Sequence, residues 1–445
     1  MPQRRVARQS LSSIALGLKG LFGERQFGVL LASRLTSQAA DGLFQASLYG
    51  ALLFNPDHRT RPAQVALGLV LLVLPYSIVG PFTGVFLDRW RRQRVLARGA
   101  LLHGGFAAAT ALLLATAGSR SIFFDLAAFA AFAVNRFYLA AQSASLPRIL
   151  PDHQLVTGNA FTTTAGTVTT IAGAGIGLGV RHLAGAGDHG NSVVAAVAFL
   201  GYLAAAAVAA RIPGERLGPD GLPDVPLATA LRAVPRDFVE GGGHLLHHRP
   251  AAFALAALFG QRALFGVWTI MTLLLYRNTF TPDGVLRAGL VGAGQAATAG
   301  GVGLVLAALV TPRVARRTGL RRWIVVTTTL PAVGALVLGT PFSLPLYVAS
   351  AVVLGFGMQG TKICVDTTVQ ESVDDEFRGR AFAIYDAGSN VCFAGAAVVG
   401  ALVLPLSGRS RPALVVMSAL YLLLAAAFAA ATTTSSPTLR GRQRR

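Results

Sequence analysis

Seven ionisable side chains sit inside stretches of this chain that are otherwise apolar: Arg34, Asp41, Arg136, Arg262, Lys362, Asp366 and Asp386. A charge placed in hydrocarbon is costly, so each one that is retained needs a partner, a watery cavity or a task. Arg34, Gln38, Asp41 and Gln45 recur at spacings of four, three and four, which puts them on one helix face. At about 1.5 Å per residue, Asp41 lies roughly 21 Å into its apolar segment, near mid-membrane. Arg136 and Arg262 reach similar depths in theirs. The chemistry this suggests is proton exchange: Asp41 takes a proton when it is alone in a dry site and gives it up when paired with Arg136. A permanent Asp41–Arg136 pair that only fixes helix packing is a second reading, and direct contact with a substrate a third. Gln359, Lys362 and Asp366 share another helix face, and Asp386 stands four residues before Asn390. These read as a gate or an inter-helix lock, with substrate binding as the alternative.

The elements that position these groups follow from composition. The chain has 445 residues, 53% hydrophobic and 13% charged, with 50 glycines and a mean hydropathy of +0.56. An ordinary soluble domain is about 25% charged. Apolar runs of about twenty residues recur along the chain, each long enough to span a bilayer as a helix. The spacing predicts twelve spans, near 27–54, 65–87, 95–117, 122–146, 158–182, 192–211, 251–276, 286–311, 323–341, 345–369, 380–405 and 412–432. The expected fold is therefore all-α and polytopic.

The net charge of +20 raises nucleic acid as a partner, and its distribution removes that reading. Of 39 Lys and Arg, 27 fall in segments 1–26, 88–98, 146–157, 211–250, 313–322, 371–380 and 433–445, and eight fall in the opposite loops. That asymmetry predicts cytoplasmic basic segments and cytoplasmic termini. Cys364 and Cys392 both lie in apolar spans and read as packing residues. His244, His247 and His248 have no Cys or acidic ligand near them in sequence, so no metal site is expected. Segment 1–26 reads as an interfacial helix or a disordered arm rather than a cleavable signal, and 433–445 as a basic tail. Segment 212–250 reads as a linker that carries an amphipathic helix. Its apolar face is Leu227, Leu231, Val234, Phe238 and Leu245, and Pro235 and Gly241-Gly242-Gly243 are expected to kink or break it.

One short basic hairpin occurs twice. Gly84-Val85-Phe86-Leu87-Asp88-Arg89-Trp90-Arg91-Arg92-Gln93-Arg94-Val95-Leu96 joins two apolar runs, and Pro312-Arg313-Val314-Ala315-Arg316-Arg317-Thr318-Gly319-Leu320-Arg321-Arg322-Trp323-Ile324 does so again close to half the chain later. Such a recurrence predicts a duplicated bundle, 27–211 and 251–432.

These residues resemble the major facilitator superfamily of secondary transporters. Gly84, Asp88, Arg89 and Arg92 match that family's signature between its second and third helices, with Phe86 for Leu and Arg91 for the second Gly. Arg34-Leu35-x-Ser37-Gln38 with Asp41-Gly42, and Asp375-x-x-Arg378-Gly379-Arg380, look like its prokaryotic exporter branch. Thr170 to Gly179 keeps the fifth-helix glycines of drug–proton exchangers without their Pro. The resemblance implies twelve helices in two pseudo-symmetric bundles of six. The first, fourth, seventh and tenth helices would line a central cavity that takes Arg34, Gln38, Gln45, Tyr138, Arg262, Trp268 and Gln359. It implies that Asp41 and Arg136 couple protons, an arrangement seen in drug exporters. It also implies a cytoplasmic gate in which Asp88 faces Arg378 and Arg380, with Gly84, Arg89, Arg92, Lys362, Asp366 and Asp386 part of the same closure.

The expected function is proton-coupled efflux of small amphiphilic molecules such as drugs or natural products, by alternating access in the plasma membrane. A facilitator or importer of a polar solute, and a transporter-like scaffold or lipid-handling protein, are the alternatives. The expected partners are a small-molecule substrate, protons and membrane lipids. No cofactor, no enzymatic activity and a monomer are expected, and the chain holds no phosphate loop for ATP.

Overall fold

The structure, a computed structural model, describes residues 24–54, 62–185, 187–219, 221 and 225–434, apart from the side chains of 152, 153, 156, 157, 160, 375, 376, 378, 379 and 434. The expectations for most of segment 1–26, for the tail beyond 434 and for the Arg378 side chain lie outside the described residues. Among these the chain forms thirteen α-helices and no strand. They are α1 (Arg25–Leu52), α2 (Pro62–Leu87), α3 (Arg92–Thr116), α4 (Ile122–Ser145), α5 (Asp152–Ala184), α6 (Asp188–Ala210), α7 (Leu227–His247), α8 (Arg249–Asn278), α9 (Gly289–Thr318), α10 (Leu320–Val333, continued as a π-turn over Gly334–Gly339), α11 (Leu344–Ser372), α12 (Asp375–Val403) and α13 (Arg411–Thr434).

Ten of these are long and apolar enough to cross a membrane. Helices α1 and α5, 28 and 33 residues long, have the length. Their polar content sets them apart: Arg34, Asp41 and three glutamines in α1, and a run of Thr and Gly in α5. The outward faces carry large aliphatic and aromatic groups, with Leu112 64%, Phe123 67%, Leu402 72% and Val403 76% exposed. That pattern suits hydrocarbon as the surrounding solvent, and the chain is an integral membrane protein.

Two compact units emerge. One holds the described residues up to His58 together with Ile78–Arg232; the other holds those of Arg59–Ser77 and Ala233–Arg445. Residues 62–77, the first part of α2, thus group with the second unit. In the first unit Phe27, Leu30, Leu96, Tyr138 and Leu146 pack into one buried cluster. In the second, Leu258, Ile324, Cys364, Val365 and Tyr385 do the same, which gives Cys364 the packing role expected of it.

Two turns differ from the sequence reading. In the second hairpin α9 runs on to Thr318, so Arg313, Arg316 and Arg317 ride its last turns, where the helix dipole favours cations. The turn is the single residue Gly319, at φ +86, whose N–H donates to the Ala315 carbonyl at 2.8 Å. Helix α7 is not broken by Pro235 or the three glycines. Pro235 faces solvent, and Gly241 is buried against Arg380 and Ile384 of α12. There the missing side chain serves close approach, and the expected apolar face is the buried one at Val234 and Leu245.

Close backbone contact also sets the helix crossings inside each unit. A Cβ on Gly42 of α1 would strike the Thr170 carbonyl of α5, and one on Gly173 of α5 would strike that of Ala39. In the second unit Gly303 of α9 meets the Val352 carbonyl of α11, and Gly355 meets that of Gly300. Small residues substitute for a hydrophobic driving force that lipid cannot supply between helices. Gly42→Ala is expected to cost about 1–3 kcal/mol through overpacking, read as a lower thermal unfolding midpoint in detergent. Gly175→Ala, which meets only open space, leaves that midpoint in place.

Candidate functional site

In the first unit the polar face of α1 is divided between two tasks. Arg34 is 6% exposed and its Nε donates to Gln38 Oε1 at 3.3 Å. Gln38 lies over Gly166 of α5, and Gln38 and Gln45 are both half-buried. Asp41, 4% exposed, is turned into the interior of the unit. Tyr202 of α6 donates its hydroxyl hydrogen to Asp41 Oδ1 at 2.7 Å, and His103 Nδ1 of α3 is 3.7 Å from the same oxygen. The side chain of Asn135 on α4 also hydrogen-bonds the carboxylate. The His103 ring stacks on Tyr202 at 4.1 Å and meets Phe44 edge-on at 5.8 Å.

This corrects the partner expected from sequence. Arg136, one residue beyond Asn135, directs its guanidinium towards Gly80 of α2; Nε is 3.4 Å from where a Cβ on that glycine would stand. Successive residues on a helix point about 100° apart, so α4 cannot send both 135 and 136 to Asp41. Neutral hydrogen-bonding groups and an imidazole take the arginine's place.

Two aromatic residues expected in the cavity are core residues. Tyr138 is 1% exposed; its hydroxyl donates to the Ser33 carbonyl at 3.0 Å and accepts from Gln142 Nε2 at 3.1 Å, tying α4 to α1. Trp268 is 3% exposed and stacks on Tyr347 at 4.6 Å, and Tyr347 and Thr272 pair their hydroxyls at 3.0 Å. Tyr138 satisfies its hydroxyl while burying a large ring, and Trp268 buries its ring against a tyrosine whose own hydroxyl is paired.

The signature turn after α2 acts as a set of staples within the first unit. Arg89 donates to the carbonyls of Val85 at 2.9 Å and Val225 at 2.6 Å. Arg92 donates to those of Ala144 at 2.9 Å and Leu217 at 3.3 Å, and its own N–H reaches the Gly218 carbonyl at 3.1 Å. The turn therefore binds the end of α4 and the start of the linker through charge-assisted bonds to carbonyls. Gly84 and Asp88 are exposed.

In the second unit several predicted residues converge. Lys362 Nζ donates to Asp366 Oδ2 at 2.7 Å, one turn apart on α11, and lies 5.2 Å from the centre of the Tyr385 ring of α12. Arg262 of α8 is within electrostatic reach of Asp366, Tyr385, Asp386 and Tyr421. Buried polar atoms left without a hydrogen bond gather on these residues: Arg262 Nε, Asp366 Oδ1, Tyr385 Oη, Tyr421 Oη and, on α12, Ser389 Oγ. Groups of this kind require water or a ligand. Gln359 is half-buried, and Asp386 is exposed rather than enclosed. Arg380 approaches Asp237 of α7 at 3.7 Å and lies over the Phe377 ring at 5.1 Å.

Sequence reasoning missed His103, Tyr202, Asn135 and Tyr385. His103 carried a usable signal, being an ionisable group within the third apolar run. The acid that the histidine-bearing segment lacks is supplied from afar: Asp374 Oδ2 is 3.6 Å from His244 Nε2, and with His248 their ligating atoms lie within 4.8 Å of one another. Tyr202→Phe is expected to leave Asp41 short of a donor and to cost about 1–3 kcal/mol. Thermal unfolding in detergent measures this, with Tyr49→Phe, whose half-buried ring lies two turns further along α1, as the comparison.

The profile of the Major Facilitator Superfamily matches residues 30–391, and again residues 263–444. An uncharacterized MFS-type transporter of Mycobacterium tuberculosis (strain ATCC 25618 / H37Rv) is 33% identical over 397 residues, 89% of each chain. A same-named type of protein from Mycobacterium bovis (strain ATCC BAA-935 / AF2122/97) matches to the same extent. Among solved structures, a POT family transporter in complex with a thioalcohol-conjugated peptide superposes with a TM-score of 0.66 at 12% identity, covering 92% of this chain and 96% of its own. The xylose transporter XylE from E. coli, in an inward-open conformation, does so with a TM-score of 0.61 at 14% identity, covering 94% and 97%. At such identities the likeness is one of fold.

Proposed function

This chain belongs to the Major Facilitator Superfamily, and from that premise we propose that it is a proton-driven exporter of small amphiphilic organic molecules, working by alternating access. Its activity is membrane transport, not enzymatic catalysis. The observation that carries proton coupling is the setting of Asp41. The carboxylate is held by the neutral groups of Tyr202 and Asn135, and His103 is a second titratable group 3.7 Å away. A carboxylate held in this way changes charge by one proton without tearing apart a fixed ion pair, a step that would leave an uncompensated charge. The Lys362–Asp366 pair is the contrasting case and suits a lock.

Export is favoured by the exporter-like residues Arg34, Gln38 and Asp41 of α1 and by the Arg380 segment. Asp88, exposed at the end of α2, is available as the acid of a cytoplasmic gate. The protein acts as a monomer in the plasma membrane with both termini cytoplasmic, as the arginine distribution supports.

The test is transport in proteoliposomes under an imposed pH gradient, with ethidium and related amphiphilic cations as probes. Wild type is expected to move them only with the gradient, and Asp41→Asn to lose gradient-driven movement by at least about tenfold, one proton-binding group being worth more than 1.4 kcal/mol of coupling. Gradient-driven transport by Asp41→Asn at the wild-type rate removes Asp41 from the mechanism. Movement of nucleosides or sugars but not of the cations favours the polar-solute reading.

A further inference from the structure

A cavity of about 740 Å³ opens within the first unit, between the α2–α3 turn, α3, α4 and the linker residues Pro219 and Gly221. Its wall carries Arg89, Arg91, Arg94 and Arg98, and no acidic side chain among the described residues. The Arg89 guanidinium is already committed to two carbonyls, whereas Arg91, Arg94 and Arg98 are exposed. Arg94 and Arg98 stand one turn apart on α3 and Arg91 immediately precedes it, so like charges crowd the first turns of that helix, an arrangement that repels itself unless an anion sits against it.

The rest of the wall is apolar, and it continues onto the outer face of the helices. Phe137 and Leu102 line it, and Leu102 is 58% exposed. Trp90, 47% exposed, stands beside the arginines. Along α3, Leu102 lies about 12 Å beyond Arg94, which is the step from the headgroup level of a bilayer into its hydrocarbon. Arginines at one depth, an indole beside them and aliphatic groups below reproduce the layering of an interface. A soluble anion would use only the first of these layers.

We propose that this groove is a binding site for an anionic glycerophospholipid, its phosphate held by Arg91, Arg94 and Arg98 and an acyl chain laid along Leu102 and Phe137. Basic pockets between membrane helices are known to take such headgroups. The site is distinct from the Asp41 cluster and from the α11–α12 cluster, and it does not depend on which solute is transported.

The experiment uses the full chain in detergent, titrated with phosphatidylglycerol or phosphatidylcholine and read by native mass spectrometry for retained lipid. Glycerol phosphate and inorganic phosphate serve as soluble competitors. Phosphatidylglycerol is expected to be retained and phosphatidylcholine lost. The double variant Arg94→Gln/Arg98→Gln is expected to weaken retention by about tenfold or more, since each basic group near a membrane surface contributes roughly a fivefold factor. Leu102→Ser is expected to weaken retention of long-chain lipid while leaving salt dependence unchanged. Both variants alter exposed positions, and a thermal unfolding midpoint at the wild-type value shows that each is folded. Equal retention of the two lipids, equal retention by the double variant, or displacement by glycerol phosphate at concentrations comparable to the lipid each overturns the proposal; the last result makes the groove a soluble-anion site.

Discussion

A buried carboxylate in hydrocarbon is the constraint around which the first unit is organised. Asp41 has no bulk water to solvate it, so the fold supplies a hydroxyl, an amide and an imidazole from three different helices. Those groups arrive only if α3, α4 and α6 all approach α1 closely and in one rotational setting. Each helix is otherwise apolar and could rotate at little cost in lipid, so the polar contacts fix what hydrophobic burial leaves free. The second unit meets the same constraint differently. There Lys362 neutralises Asp366 directly, while Arg262 and Tyr421 contribute buried polar atoms that no hydrogen bond among the described residues satisfies. One unit thus solves the problem with neutral partners, the other with opposite charge and unfilled hydrogen-bonding capacity.

The glycine contacts and the polar clusters belong to one design. Gly42 follows Asp41 directly, and its missing side chain lets α1 lie against the backbone of α5. A residue with a Cβ there would push α1 away and move Asp41 relative to Tyr202. The signature arginines do comparable work at the end of the unit. By donating to backbone carbonyls of the α4 end and of the linker, Arg89 and Arg92 hold loop and helix together without needing any acid.

Much of this was legible from sequence because lipid makes the rules simple. Apolar length gave the helices, and the rule that an ionisable group in a span needs a reason pointed to Asp41, Arg262, Lys362 and Asp366. What stayed hidden was pairing. Tyr202 and Asn135 are unremarkable in their own spans, and only the three-dimensional crossing of α1 with α4 and α6 reveals them. Arg136 was assigned to Asp41 because charge complementarity is visible in a sequence and helix rotation is not. The misreading of α7 has a similar cause: glycine and proline weaken an isolated helix, yet Gly241 is where contact with Arg380 and Ile384 needs the least bulk. His103 is an ionisable group inside a span, but its nearness to Asp41 shows only once α3 is set against α1.

The placement of the tryptophans has a practical consequence. The chain has three, and each occupies a different medium: Trp90 at an open basic groove, Trp268 stacked in a dry interior, and Trp323 donating its indole N–H to Thr311 Oγ1 at 3.1 Å. Excited-state emission from these rings therefore separates by colour and by access to quenchers, with Trp90 the most exposed of the three. The protein carries its own optical reporter at the groove, so occupancy there can be followed without attaching a label.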